Sequence, residues 1–268
     1  MLDWKTGLRF RLILTVMIAL LPVFGLFAYS AAKTRQTAIE LAHASLKYDA
    51  LLAAAGQLRV IEHAAQFLDD MATVPSIKDT RSRQCVPHLK NLKSQNSAYA
   101  NLGVLDLDGQ ATCHALDSEN SVAVKLGDKA FFQQVLKTRK FAVGDYGAGP
   151  VTSQPTLGLG VPVYSGDGQL NGVAFAALDL SAVSKALVDT PLLAGSSLWV
   201  LDRRNTVLAI HPLSHDTRIT LGAVEENPLV RAAARVAIAG LHHGPDDRGV
   251  EQVYAYAPVG KTDRKSVV

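Results

Sequence analysis

At 268 residues, 48% of them apolar, the chain has enough apolar surface for one large core or two small ones, which excludes an intrinsically disordered polymer. Its formal charge of +3 is spread along the sequence, and no Lys/Arg block interleaved with aromatics is present, which argues against a nucleic-acid partner. The eight histidines form no HExxH or paired Cys-x-x-Cys pattern, and His242-His243 reads as a loop pair, so neither a metal nor a cofactor is expected.

From Leu12 to Ala32 the run LILTVMIALLPVFGLFAYSAA carries no charge and is long enough, at about 1.5 Å per helical residue, to cross a hydrocarbon layer of about 30 Å. It reads as a membrane helix. Lys5, Arg9 and Arg11 precede it and Lys33 and Arg35 follow, a bias that places the N-terminus in the cytoplasm and the remainder outside. A cleaved signal peptide ending near Ala28-Tyr29-Ser30 is the rival reading and predicts the same compartment. A buried soluble helix is the third, and the charge-free length argues against it.

The next stretch, residues 33–74, is rich in Ala, Leu, Gln and Glu, with Ile39, Leu46, Leu58, Ile61, Ala65 and Leu68 near helical spacing. It predicts one long helix, open to interruption at Gly56 and ended by Pro75. Cys85 and Cys113 are the only cysteines. In an oxidising compartment they read as a disulfide, with two buried free thiols as the other reading, and geometry decides between them.

SAYANLGVLDLDGQATCHAL predicts two strands turning at Asp108-Gly109, and Asp128 is expected to cap a short helix, KAFFQQVLKTRK. GDYGAGPVTSQPTLGLG follows, residues 144–160. A dinucleotide fingerprint would need a third glycine where Thr152 or Val163 stands, so the glycines are read as turning a sheet at a pocket. Strands are expected over Thr156 to Tyr164 and Asn171 to Leu180.

The pattern then recurs. GVLDLDGQATCHA is echoed by WVLDRRNTVLAIH, with Asp106 and Asp202 standing 96 residues apart, and VPVYSGDGQ is echoed by APVGKTDRK, with Pro162 and Pro258 at the same offset. Leu126-Gly127 and Leu221-Gly222 supply a third landmark within one residue of that register. Three landmarks in one register predict two copies of an α/β unit. Carrying the offset onward from Gly172 reaches the last residue, Val268, so the second copy is expected to lack its last strand and the chain to be a fragment.

The membrane helix, the long helix and the two repeats, with Gly144-Asp145-Tyr146, Pro162-Val163, Asp167-Gly168 and Ala177-Leu178-Asp179-Leu180 in order, make the chain similar to double Cache sensor domains from Lys33 to Val268. The resemblance implies an α+β fold: a transmembrane helix and a long stalk helix followed by two PAS-like antiparallel-sheet lobes. The boundaries expected are 1–32 for the cytoplasmic stub and membrane helix and 33–75 for the stalk. The membrane-distal ligand-binding lobe then takes 76–190 and the truncated membrane-proximal lobe 191–268. It also implies an extracytoplasmic small-molecule-sensing module of a bacterial inner-membrane receptor, feeding a histidine kinase, diguanylate cyclase or chemoreceptor. Such a module binds without catalysing a reaction, and its expected partners are the lipid bilayer, a small-molecule ligand and a second copy through the stalk helix.

Amino-acid-binding relatives carry an Arg-x-Trp-aromatic segment for the carboxylate and a later Asp for the ammonium. The matching positions are Lys129-Ala130-Phe131-Phe132 and Asp179. Lysine meets an anion as a point charge without the guanidinium fork, and Phe131 has no indole donor, so amino acids are not named as the ligand and an anion is kept open. Each candidate has a structural alternative. Lys129 is a ligand cation or a solvated helix-start lysine; Asp145 accepts from the ligand or caps a turn. Tyr146 points its phenol into the pocket or packs on a strand, and Asp179 is a ligand group or a helix cap. Phe131 and Phe132 are adjacent, so only one can face the sheet. No G-x-S-x-G elbow occurs, and Ser196-Ser197 lie in a turn. A membrane-tethered hydrolase and a non-sensing structural periplasmic module are the competing classes.

Overall fold

The computed structural model describes residues 8–79, 82–116, 123–185, 187, 192, 195–202, 204–211, 220–236, 238–245, 249–259 and 265–267. The chain divides into two compact units, residues 1–45 and 46–268. The first helix, α1 (Leu8–Thr73), begins in one and ends in the other, and it passes Gly56 unbroken. In the first unit it is the one helix among the described residues long and apolar enough to cross a membrane, and from Leu12 to Ala32 every side chain is exposed.

In the second unit Leu46, Ala50, Ala53, Gln57, Ile61, Ala64, Leu68 and Met71 form a buried stripe, spaced three or four apart. Three of these eight are alanine, Ala50, Ala53 and Ala64, small enough for a helix to pack closely. α1 ends at Thr73; Pro75, fixed at helical φ and lacking an N–H, starts the short α2 (Pro75–Lys78). α3 (Cys85–Gln95) follows.

Two five-stranded antiparallel sheets make the rest of this unit. The first contains β1 (Tyr99–Leu105), β2 (Ala111–His114), β3 (Ala142–Ala148), β4 (Pro155–Tyr164) and β5 (Leu170–Asp179), in the order β2-β1-β5-β4-β3. The second contains β6 (Leu198–Leu201), β7 (Val207–His211), β8 (Gly240–Pro245), β9 (Glu251–Pro258) and β10 (Lys265–Val267), in the order β7-β6-β10-β9-β8. The orders are identical, strand for strand. α4 (Ala130–Thr138) joins β2 to β3, α5 (Leu180–Lys185) follows β5, and α6 (Pro228–Arg235) takes the place of α4 in the second lobe.

The duplication reaches the turns. Asp106 accepts through Oδ1 from the amides of Asp108 at 3.0 Å and Gln110 at 2.8 Å, and Asp202 accepts from Arg204 and Thr206, both at 2.8 Å. The residue three beyond each aspartate takes the left-handed conformation, Gly109 at φ 78° and Asn205 at φ 61°, the two residue types that tolerate it best.

Three expectations are corrected. The second sheet does have its last strand over Lys265–Val267, seated between β6 and β9. Pro162 pairs with Val173 but Pro258 with Lys265, so the second hairpin closes four residues sooner and the constant offset overshot it. The third landmark also moves. The amide of Leu126 donates to Gly109 O, and it is the amide of Glu225 that donates to Asn205 O, so Leu126 is matched by Glu225 and not by Leu221. Finally, Asp128 does not cap α4: the N-cap is Lys129, which makes no side-chain cap bond.

Alternation along the strands builds two layers per sheet. Leu157, Leu159, Val161 and Val163 of β4 enter one core with α1, α3, Leu102, Val104, Ala174 and Ala176, and this core continues through Leu198, Val200, Ala255 and Ala257 of the second lobe. The opposite faces carry separate cores, one around Phe131, Phe132, Val135 and Phe175, the other around Val230, Tyr254 and Tyr256. A disulfide joins Cys85 at the start of α3 to Cys113 on β2, with Cα atoms 6.2 Å apart.

Asp49 is buried on the helix stripe beside Ala50 and Ala53, and burial pushes its carboxyl pKa above the ordinary value. A carboxyl whose folded pKa lies above its unfolded one is most favourable to folding below the unfolded value, and that contribution is lost as pH rises through the folded one. Asp49→Asn is therefore expected to raise the thermal midpoint at about pH 7 and to leave it little changed near about pH 3, where both states are protonated. An unchanged midpoint at neutral pH would contradict this.

Candidate functional site

A cavity of about 310 Å³ opens on the outer face of the first sheet, between the start of α4, the β3–β4 segment and the turn before β7. Its size lies at the lower end of small-molecule pockets. Lys129, Phe131, Asp145, Tyr146, Thr156 and Arg204 are among its lining residues.

Gly144, Gly158 and Gly160 seat Phe131, and Gly158 and Phe131 both line the cavity. A Cβ on Gly158 would stand 2.7 Å from Cδ1 of Phe131, and one on Gly160 would stand 2.8 Å from its Cδ2; at Gly144 the nearest Phe131 atoms are at 3.3 Å. The ring lies on bare backbone. Gly147 to Thr152 then form the wall, a loop tied by the Gly149 amide to Gln154 O and the Ser153 amide to Gly149 O, both at 2.8 Å. Two buried polar side chains finish the floor: Asn101, accepting from the Leu102 amide at 2.9 Å, and Thr156, donating to Gly147 O at 3.2 Å.

The second lobe does the opposite at the same positions. Tyr254 and Tyr256 stand 96 residues beyond Gly158 and Gly160, both buried in the second lobe's core, where the first lobe has glycines that admit the Phe131 ring. Tyr256 stacks on His242 with centroids 5.2 Å apart, and Tyr254 Oη accepts from Asn227 Nδ2 at 3.2 Å. The helix starts differ too. Asn227 caps α6 by accepting from the amides of Leu229 and Val230, whereas the Lys129 ammonium cannot accept, so the first-turn amides of α4 have no side-chain cap where they meet the cavity. That end of α4 carries the positive pole of the helix dipole.

Four of the six residues singled out from sequence therefore line one cavity: Lys129, Phe131, Asp145 and Tyr146. Phe132 is buried in the adjoining core and does not line it. Asp179 stands outside and accepts from the Ser181 amide at 2.8 Å, capping α5. Lys129 Nζ pairs with Asp128 at 3.4 Å, and Asp145 pairs with Arg204 Nη2 at 3.7 Å. Sequence reading passed over Asn101, Thr156 and Arg204. The first two sit on strands read only for core, and Arg204 reaches the cavity from the second lobe, a placement no local pattern encodes. Among the described residues, no three His, Cys, Asp or Glu side chains gather into a group able to hold a metal ion.

No family model matches the chain, and no curated protein matches it. Solved structures do. The extracellular domain of rpHK1S-Z16, assigned as a histidine kinase, superposes with a TM-score of 0.70 at 16% identity, covering 84% of this chain and 92% of that one. The sensory domain of the Campylobacter jejuni chemoreceptor Tlp3 gives 0.67 at 15% identity, over 88% and 96%. The ligand-binding domain of the Pseudomonas aeruginosa PAO1 amino-acid chemoreceptor PctB, solved with L-Arg, gives 0.64 at 13% identity, over 84% and 93%. The duplicated sheets on one long helix thus share the fold of that histidine kinase's extracellular domain and of the sensory and ligand-binding domains of those chemoreceptors.

Proposed function

We propose that the chain is the extracytoplasmic sensing module of a bacterial membrane receptor and that its first lobe binds a small molecule with an acidic group. The observation that carries this reading is the contrast between the lobes: one fold, made twice, packs Tyr254 and Tyr256 into a core in one copy, and in the other lays Phe131 on Gly158 and Gly160 with a cavity of about 310 Å³ beside the ring. An uncapped helix start beside Lys129 supports an anionic ligand group, since amide donors, a helix pole and an ammonium all favour negative charge. The exposed apolar run Leu12 to Ala32 supports an anchor in the inner membrane with the lobes in the periplasm. Leu41, Tyr48 and Leu52, exposed at heptad-like spacing on α1, support pairing of two copies through that helix. The module would bias a histidine-kinase or diguanylate-cyclase output by ligand-dependent shifts of α1.

A thermal-shift screen of the full chain in nanodiscs against organic acids, amino acids, amines and purines tests this. A ligand at a hundredfold excess over its Kd should stabilise the chain by about 2.7 kcal/mol. Lys129→Ala should weaken that ligand about three- to fivefold, the size of a half-exposed charge interaction. No stabilisation by any class would favour the structural module, and turnover of ester or peptide substrates would favour the hydrolase.

A further inference from the structure

Arg204 lies on the turn between β6 and β7, in the second lobe, yet it lines the first lobe's cavity. Its position matches Asp108 of the first lobe's own turn, 96 residues earlier. The turn holds it there: Asp202 Oδ1 accepts its amide at 2.8 Å, and the other carboxylate oxygen, buried and without a hydrogen bond, lies 4.0 Å from its Nε. Across the lobe boundary Nη2 stands 3.7 Å from Asp145 Oδ2. That separation is long for a charge-assisted hydrogen bond, and the Arg204 side chain is 57% exposed against 26% for Asp145, so the guanidinium keeps donors directed to solvent and cavity.

A second joint adjoins the first. Tyr146, next to Asp145 on β3, lays its ring tip on Gly222 of the second lobe, where a Cβ would collide with it. Gly222 and Arg204 belong to one body: the Gly222 amide donates to Val207 O at 2.8 Å and the Glu225 amide to Asn205 O at 2.9 Å, tying the segment to the turn. Both second-lobe groups therefore meet consecutive residues of the cavity wall.

We propose that Arg204 is a ligand-binding residue supplied by the second lobe, which receives the ligand's acidic group in exchange for Asp145, so that occupancy of the first lobe tightens its joint with the second. This rests on the sensing reading above and adds to it how the second lobe is informed. By reciprocity, whatever fixes the lobe joint must raise ligand affinity by the same factor.

The test uses the full chain in nanodiscs, titrated calorimetrically with acetate, succinate and benzoate and with the matching amides. Spin labels on Cys substitutions at Asp167 and Glu251 report the distance between lobes. An acid should bind and its amide should not. Arg204→Gln should weaken the acid at least tenfold, Arg204→Lys should recover part of the loss, and Asp145→Asn should tighten binding two- to fivefold by removing the internal competitor. The acid should narrow the interlobe distance distribution in the parent chain and not in Arg204→Gln. Acid affinity within twofold of the parent in Arg204→Gln, or weaker binding in Asp145→Asn, would overturn the proposal and leave the sensing reading standing. Equal binding of acids and amides, or binding confined to amines or purines in the wider screen, would overturn it together with the acidic group of the ligand and leave a small-molecule sensing module. If no compound of any class binds, both fall.

Discussion

Tyr256→Ala is expected to cost about 3–5 kcal/mol of stability, the range for removing a buried aromatic side chain. Tyr256 is buried among Leu201, Val207, Ile210 and Val230, covers Gly240 and stacks on His242, so alanine would leave a ring-sized void that the sheet cannot collapse to fill. Urea denaturation followed by the fluorescence of Trp199, on β6 of the same lobe, measures the loss where it arises. Binding in the first lobe should persist in the variant wherever the chain stays folded. A loss below about 1 kcal/mol would mean that the second lobe is not the filled copy of the fold.

Replacing Cys85 and Cys113 together by alanine is expected to cost about 3.5 kcal/mol on the chain-entropy model for a link between residues 28 apart. Both cysteines are buried, so the effect is on the loop that carries α3 to β2 and not on surface chemistry. Without the link α3 still packs on the sheet through Leu89, with Val86 and Leu92 beside it. Comparing the urea midpoints of parent and double variant under oxidising conditions measures it, and equal midpoints would contradict it.

Much of the fold could be read from the chain because its signals were local. The apolar run, the helical stripe after it and the Asp-x-x-Gly turn each declare an element within a few residues, and the 96-residue echo declared the duplication. What failed did so where spacing is not fixed by physics. The hairpin after Pro258 is four residues shorter than that after Pro162, which hid β10, and the segment before α6 runs longer than its counterpart, which misplaced Leu221. Turn length is free to change provided the strands still pair.

The site was legible in half. Lys129 and Phe131 at a helix start and Asp145-Tyr146 before a glycine-rich turn met in one cavity, since helix and strand ends collect at one side of a sheet. The glycines' own role was less visible. They are bare at Gly158 and Gly160 because the Phe131 ring rests on them, a contact between residues nearly thirty apart that neither stretch announces. Asp179 illustrates the converse: its place at a strand end before a helix fits ligand contact and N-capping equally, and the geometry gives it to the cap.

The measurement that bears most directly on a hollow first lobe and a filled second one is hydrogen–deuterium exchange of the full chain with and without the compound giving the largest thermal shift. Slower exchange should be concentrated at Lys129 to Phe132, at Asp145 to Thr156 and at the Arg204 turn. Protection centred on residues 240–258 instead, or uniform protection of both lobes, would contradict it.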